Sequence, residues 1–168
     1  MKSYDVHMAE KSTEEKGGRT GVRGPLADLT AFRLIKLGDL VYAEAQRTLA
    51  PLGLAPRTFH VLAGAASMDA PSQQDLAKTL GFDPNVMVGV VDELERLGLA
   101  ERIRNPRDRR RYIVAPTEAG TARLAEAAQA VREAEARLLA EIPEQDRAAL
   151  HRASGLLLAA HPGPVKTE

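Results

Sequence analysis

The sequence predicts a mainly α-helical fold carrying one small β-hairpin, and three observations support that expectation. Apolar residues recur at helical spacing through most of the chain. Two short helical segments are separated only by Gly81 and Phe82. One stretch rich in β-branched and aromatic residues, Ile103 and Tyr112-Ile113-Val114, brackets the turn-forming run Asn105-Pro106-Arg107-Asp108.

Residues 1–24 mix Lys, Glu, Ser and Thr with Gly17, Gly18, Gly21 and Gly24. So few apolar residues cannot order a segment, and a flexible N-terminal arm is expected. From Asp28 to Ala50 the apolar set Leu29, Phe32, Ile35, Leu37, Leu40, Val41 and Leu49 marks a long amphipathic helix, ended by Pro51 and Gly53. Pro56 opens a short second helix with Phe59, Val61, Leu62 and Ala65 on its apolar side, fading at Met68 to Pro71. Ser72 and Asp75 form a capping box for a third helix, which Gly81 ends. Asp83 caps a fourth with Pro84 at its first position, running through Val90, Val91, Leu94 and Leu97 to Gly98. Leu99–Arg104 and Arg111–Val114 form the hairpin. An alanine-rich helix follows from Thr117 to Glu141, and Pro143, with Glu144 and Asp146 in the first turn, starts a last helix that ends before Pro162.

A helix pair with a glycine in its turn, followed at once by a hairpin, is a winged helix-turn-helix. Residues 56–116 form that lobe, and 25–55 with 117–162 form a second, helical lobe. The terminal helices carry Leu34, Leu37, Tyr42, Leu138, Leu139, Leu150, Leu156, Leu157 and Leu158, more apolar surface than one thin layer can hide, so this second lobe is expected to dimerise.

The 168 residues hold 23 basic and 23 acidic side chains, so overall charge points to no partner. The absence of cysteine excludes disulfide scaffolds, thiolate metal sites and thiol-based catalysis or oxidant sensing. No apolar run is long enough to span a bilayer and the N-terminus has no apolar signal core, so no membrane partner and a cytoplasmic location are expected. His7, His60, His151 and His161 show no metal-ligand spacing and no nucleophile motif, and no glycine-rich phosphate loop follows a strand. An enzyme is therefore not expected, nor any metal or cofactor.

Charge is concentrated locally. Six arginines (Arg102, Arg104, Arg107, Arg109, Arg110, Arg111) and a single acid, Asp108, lie between residues 102 and 111. Beside a helix pair, this places the fourth helix in a DNA major groove and the hairpin tip in the flanking minor groove, where narrow A·T-rich stretches attract arginine. The fourth helix has no Lys or Arg from Asp83 to Glu95, so arginine cannot read guanine from it. It can offer Asn85 to adenine and Val86, Val88 or Met87 to thymine methyls, with Gly89 next to them on the groove-facing stretch, which predicts A·T-leaning base contacts. By spacing, Met87, Val90 and Val91 fit the core better. Phosphate contacts are expected from Arg57, Ser72 at the start of the third helix, Gln73, Gln74, Lys78, Arg96 and the wing arginines.

The chain resembles the MarR (multiple antibiotic resistance regulator) family of winged-helix regulators from about Asp28 to Ala160. The resemblance rests on Ser72-Gln73-Gln74-Asp75-Leu76-Ala77, on Val91-Asp92-Glu93-Leu94-Glu95-Arg96-Leu97-Gly98-Leu99, and above all on Asn105-Pro106-Arg107-Asp108-Arg109-Arg110 leading to Pro116-Thr117-Glu118-Ala119-Gly120. It implies a homodimer built by the N- and C-terminal helices, bound to a pseudo-palindromic operator on double-stranded DNA and, as a repressor, released by a small-molecule effector. It also implies that Asp108 steadies the wing while Arg110 enters the minor groove. A carboxylate can do so by pairing with a neighbouring guanidinium, or simply by capping the turn. Family members commonly carry a basic residue near Gly89, and this chain departs from them there. The effector site implied lies where the first, second and fifth helices meet the DNA lobe, with Phe32, Arg33, Lys36, Phe59 and His60 as candidates and an aromatic or anionic molecule as ligand. His60 stands among apolar neighbours in the sequence, where a histidine is more often packed or hydrogen-bonded than a ligand. The alternative is a winged-helix module that binds a protein partner through the hairpin and the fourth helix and binds no DNA.

Overall fold

A computed structural model of the protein describes residues 25–105, 108 and 110–161, so the expected arm 1–24 lies outside the described residues. A 3-10 turn, Pro25–Asp28, precedes α1 (Thr30–Leu49), and a second one, Ala50–Leu52, ends at Gly53, whose φ of 69° is left-handed. Then come α2 (Pro56–Ser67), α3 (Gln73–Leu80), α4 (Pro84–Arg96), β1 (Ala100–Arg104), β2 (Tyr112–Pro116), α5 (Glu118–Leu138) and α6 (Glu144–Ala160). The strands form an antiparallel pair with Ala100 opposite Pro116 and Arg104 opposite Tyr112, so β2 runs two residues past the expected end at Val114. Helix α5 stops short of Glu141 because its last carbonyls are taken by a tightening turn, in which Ala140 N–H donates to Arg137 O and Ile142 N–H to Leu139 O.

The chain divides into two compact units at Gly38, with α1 running across the boundary. In the first, Lys36 Nζ stands 6.0 Å from the centroid of the Phe32 ring. The second holds the hydrophobic core, in which Val61 and Leu62 of α2, Leu76 of α3, Met87, Val91 and Leu94 of α4, Val114 of β2 and Ala127 of α5 are buried.

Local chemistry sets the element boundaries as the sequence suggests. Pro56 starts α2, and the Thr58 hydroxyl both accepts from Ala55 N–H at 2.9 Å and donates to Ala55 O at 2.8 Å. Ser72 and Asp75 cap α3 reciprocally. Gly81, at φ 71°, ends α3, and the Asp83 carboxylate at once caps α4 by accepting from Asn85 N–H at 2.8 Å. The hairpin is tied to the start of α3 by Val114 N–H donating to Pro71 O at 2.9 Å. At the other end of β2, the Thr117 hydroxyl accepts from Gly120 N–H at 2.9 Å and donates to Gly98 O at 2.7 Å. This join brings α5 so close to the turn after α4 that a Cβ on Gly120 would lie 1.8 Å from Leu99 O. Among the described residues, no helix is long and apolar enough to cross a membrane.

Candidate nucleic-acid interface

Helix α4 turns Met87, Val90, Val91 and Leu94 into the core. Its opposite face carries Asn85, Gly89, Asp92 and Arg96, spaced i, i+4, i+7 and i+11, and all four are exposed. Val86 and Val88 flank this stripe and remain 38% and 42% exposed. The four residues expected to face bases, Asn85, Val86, Val88 and Gly89, are thus all on the surface, while Met87 is core. Nothing lies within 4 Å of the position a Gly89 Cβ would take, so packing does not require glycine there.

The acids of α4 are held by arginines. Glu93 accepts from Arg96 Nε at 2.8 Å and from Arg96 Nη2 at 2.7 Å, a bidentate pair that holds the Glu93 carboxyl below its ordinary pKa. Arg96, expected to meet phosphate, is therefore engaged within its own helix in the unbound chain. Arg102 of β1 is half-buried and reaches two elements at once. Its guanidinium pairs with Glu95 through Nη1, lies 2.7 Å from Asp92 Oδ1 through Nη2, and donates to Gln73 Oε1 of α3 at 2.9 Å. Its backbone N–H donates to Glu95 Oε1 at 2.8 Å. Sequence reasoning counts Arg102 only as one of six clustered arginines. The signal for its role is the i, i+3 pair Asp92 and Glu95 followed by an arginine at the third position of the next strand, β1. With its Oε1 occupied, Gln73 has its amide N–H₂ to offer a phosphate.

At the start of α3 the Ser72 hydroxyl donates to Asp75 Oδ2 at 2.6 Å and accepts from Asp75 N–H at 3.2 Å. These bonds from the Ser72 hydroxyl, then from its backbone N–H, pull the Asp75 carboxyl below its ordinary pKa, with Arg111 and Lys78 adding to the effect. Arg111 Nη2 lies 3.4 Å from Ser72 Oγ and 3.7 Å from Asp75 Oδ2. Ser72, Gln73, Gln74, Arg111 and Tyr112 line an open groove of about 310 Å³ between α3 and the wing. Tyr112 is a groove residue that the sequence reading missed. It lies under the Arg104 guanidinium, 5.4 Å from carbon to ring centroid, because β1–β2 register sets the two side by side. Gln74, Lys78 and Arg57, the other expected phosphate contacts, are exposed.

In the wing, Asp108 Oδ1 accepts from Arg110 N–H at 3.1 Å and Asp108 O accepts from Arg111 N–H at 3.0 Å. Its carboxylate thus caps the turn backbone, and the Arg110 side chain projects from an exposed residue. Arg107 and Arg109 lie outside the described residues. Of the effector candidates, Phe32, Arg33 and Lys36 belong to the first unit, where Arg33 and Lys36 are exposed. Phe59 and His60 belong to the second, with ring centroids 5.9 Å apart. Phe59 is half-buried against the core, but His60 is exposed rather than interior, because α2 buries Thr58, Val61, Leu62 and Ala65 and leaves position 60 on the outer side. Partial desolvation still lowers its pKa.

Residues 52–111 match the sequence pattern of the MarR family. Over 130 residues, 77% of this chain and 78% of the other, the sequence is 31% identical to the protein assigned as transcriptional regulator of the hcr operon in Thauera aromatica. Among solved structures, CouR from Rhodococcus jostii RHA1 bound to p-coumaroyl-CoA is 32% identical with a TM-score of 0.73, covering 87% of this chain and 100% of that one. The transcriptional repressor CouR bound to a 23-mer DNA duplex is 33% identical with a TM-score of 0.74, covering 82% of this chain and 96% of that one. These relatives are regulators of transcription. The helix pair, the adjoining wing and this identity over three-quarters of the sequence lead to one conclusion: the chain belongs to the MarR family of transcriptional regulators.

Proposed function

We propose that this regulator binds a pseudo-palindromic operator on double-stranded DNA as a homodimer and represses transcription until a small molecule releases it. The observation that carries this is the exposed surface of α4, Asn85 and Gly89 with Val86 and Val88 flanking them, beside an arginine-bearing hairpin. In this reading α4 contacts base edges, the wing residues Arg107, Asp108, Arg109, Arg110 and Arg111 serve the minor groove and its phosphates, and Arg57, Ser72, Gln73, Gln74, Lys78 and Arg96 serve the backbone. The capture of CouR on a DNA duplex supports it.

Residues 56–116 serve as the DNA lobe, and 25–55 with 117–162 as the dimerising lobe. Support for the dimer comes from apolar side chains left in water by the single protomer: Leu34, Ile35 and Leu37 in the first unit, and Leu156 and Leu158 of α6, 72% and 71% exposed, in the second. The location is cytoplasmic, where such a regulator meets DNA. For the effector, Phe32 of the first unit supplies a ring and Arg33 and Lys36 of the same unit supply cations, a chemistry that suits an aromatic, anionic molecule. An aromatic acyl-CoA thioester, the class of molecule bound by CouR, fits that description.

The test is titration of labelled operator duplex with the wild-type chain and with Arg110→Ala. Arg110→Ala should weaken binding about tenfold, with the circular-dichroism melt and sedimentation profile unchanged. An aromatic acyl-CoA should then release the wild-type complex. Equal affinity of the two proteins would remove the wing from the interface. Binding by neither, together with capture of a protein partner through α4, would favour an interaction module.

A further inference from the structure

Helix α4 presents a contradiction if it is to lie in a DNA groove. Its exposed stripe places Asp92 between Gly89 and Arg96, and Glu95 stands one side-chain row away. Two carboxylates on that side of the helix would face a polyanion at close range, and like charges brought together at an interface oppose association strongly. The only base in the helix, Arg96, is taken by Glu93.

We propose that Arg102 resolves this as a charge-masking positioning residue: by holding Asp92 and Glu95 from β1, it offsets one of their two negative charges, fixes both carboxylates away from the groove and makes α4 compatible with DNA. The inference rests on the DNA-binding reading above and deepens it. The geometry supports it in three ways. First, Arg102 is half-buried among its partners, with two carboxylates and the Gln73 carbonyl claiming its guanidinium, so it is poorly placed to reach a phosphate. Second, its backbone N–H also binds Glu95, so that carboxylate is fixed from two directions and cannot swing toward the groove while the hairpin is formed. Third, the same guanidinium donates to Gln73 at the start of α3, so α3, α4 and the wing share one charged centre. The arginine cluster then has two populations. Arg110 and Arg111 are exposed, Arg111 beside Ser72 and Asp75, whereas Arg102 is spent internally on the recognition helix.

A plain structural brace and a direct phosphate contact make different predictions from charge masking, and a mutant cycle separates them. Arg102→Met keeps the aliphatic stem and removes the charge, while Asp92→Asn with Glu95→Gln removes the charges it masks. Duplex affinity is measured for the wild-type chain, R102M, D92N/E95Q and the triple variant, with thermal melts for each. Charge masking predicts that R102M loses on the order of tenfold in affinity and that the triple variant recovers to within about threefold of wild type. D92N/E95Q should help far more in the R102M background than in the wild-type one. Should R102M fail to fold, the triple variant carries the test against the wild-type chain, since Asp92 and Glu95 no longer bear charge: affinity within about threefold supports masking, and a loss of about tenfold overturns it. A folded triple variant that binds as weakly as R102M would overturn the proposal in favour of a phosphate contact, and a folded R102M with wild-type affinity would overturn it outright. No binding of any duplex by the wild-type chain would instead overturn the DNA-binding reading and this inference with it.

Discussion

Val86 and Val88 stand on the outer side of α4 with no role in the core, and Asn85 is the one amide in the helix. Base readout from such a surface depends on adenine edges and thymine methyl groups. Replacing operator thymines by deoxyuridine removes the methyl and leaves pairing intact, so each contacted position should lose about 0.5–1 kcal/mol, a few-fold in Kd. Indifference to every such replacement would deny the valines their role. His60 makes a prediction of a different kind. Its pKa in the folded chain lies below the ordinary 6.5 because its surroundings partly desolvate the imidazolium. Between those two values the unfolded chain binds more protons than the folded one, so stability rises with pH across that window and is lost as pH falls through it. The urea midpoint should decline on acidification below about 6.5, and His60→Gln should remove that part of the decline. An unchanged slope in the variant would contradict it. The Asp75 carboxyl, also lowered, acts in a separate range below its ordinary 3.8, where protonation weakens the α3 cap. The exposure of His60 was not legible from its apolar neighbours in sequence, because the helical phase of α2, and not local composition, decides which side chains are covered.

The boundaries of α3 and α4 were legible because each depends on chemistry a few residues long: the Ser72–Asp75 box, the left-handed Gly81, then Asp83 and Pro84. The hairpin followed from its β-branched residues and turn for the same reason. What periodicity does not carry is pairing between elements. Arg102 finds Gln73, Asp92 and Glu95 only once α3, α4 and β1 are packed, and Tyr112 meets Arg104 only through strand register. The glycine of the Thr117-Glu118-Ala119-Gly120 run was visible as part of a motif, but its reason appears only in three dimensions. Any side chain there meets the Leu99 carbonyl of the turn between α4 and β1. Gly120→Ala should therefore force the α5 start away from that turn and cost about 3 kcal/mol in urea unfolding. A loss below about 0.5 kcal/mol would show that the junction yields easily.

At the scale of the whole molecule, no residue of α6 is buried in the single protomer, although the helix holds Leu150, Leu156, Leu157 and Leu158. The sequence exposed this surplus by simple count, and in the proposed dimer the surface that covers it belongs to a second chain. If two protomers join through these faces, the paired α4 helices should sit about 34 Å apart, one turn of duplex. Each protomer would bring Arg110, Arg111 and the start of α3 to the backbone, or about three neutralised phosphates per protomer. The most direct test of a dimer that grips duplex DNA by its backbone is titration of an A·T-rich pseudo-palindrome, drawn from upstream of the protein's own coding sequence, at several salt concentrations. Two protomers per duplex and a slope of log affinity against log salt of about −5 are expected. One protomer per duplex, or affinity that does not change with salt, would contradict it.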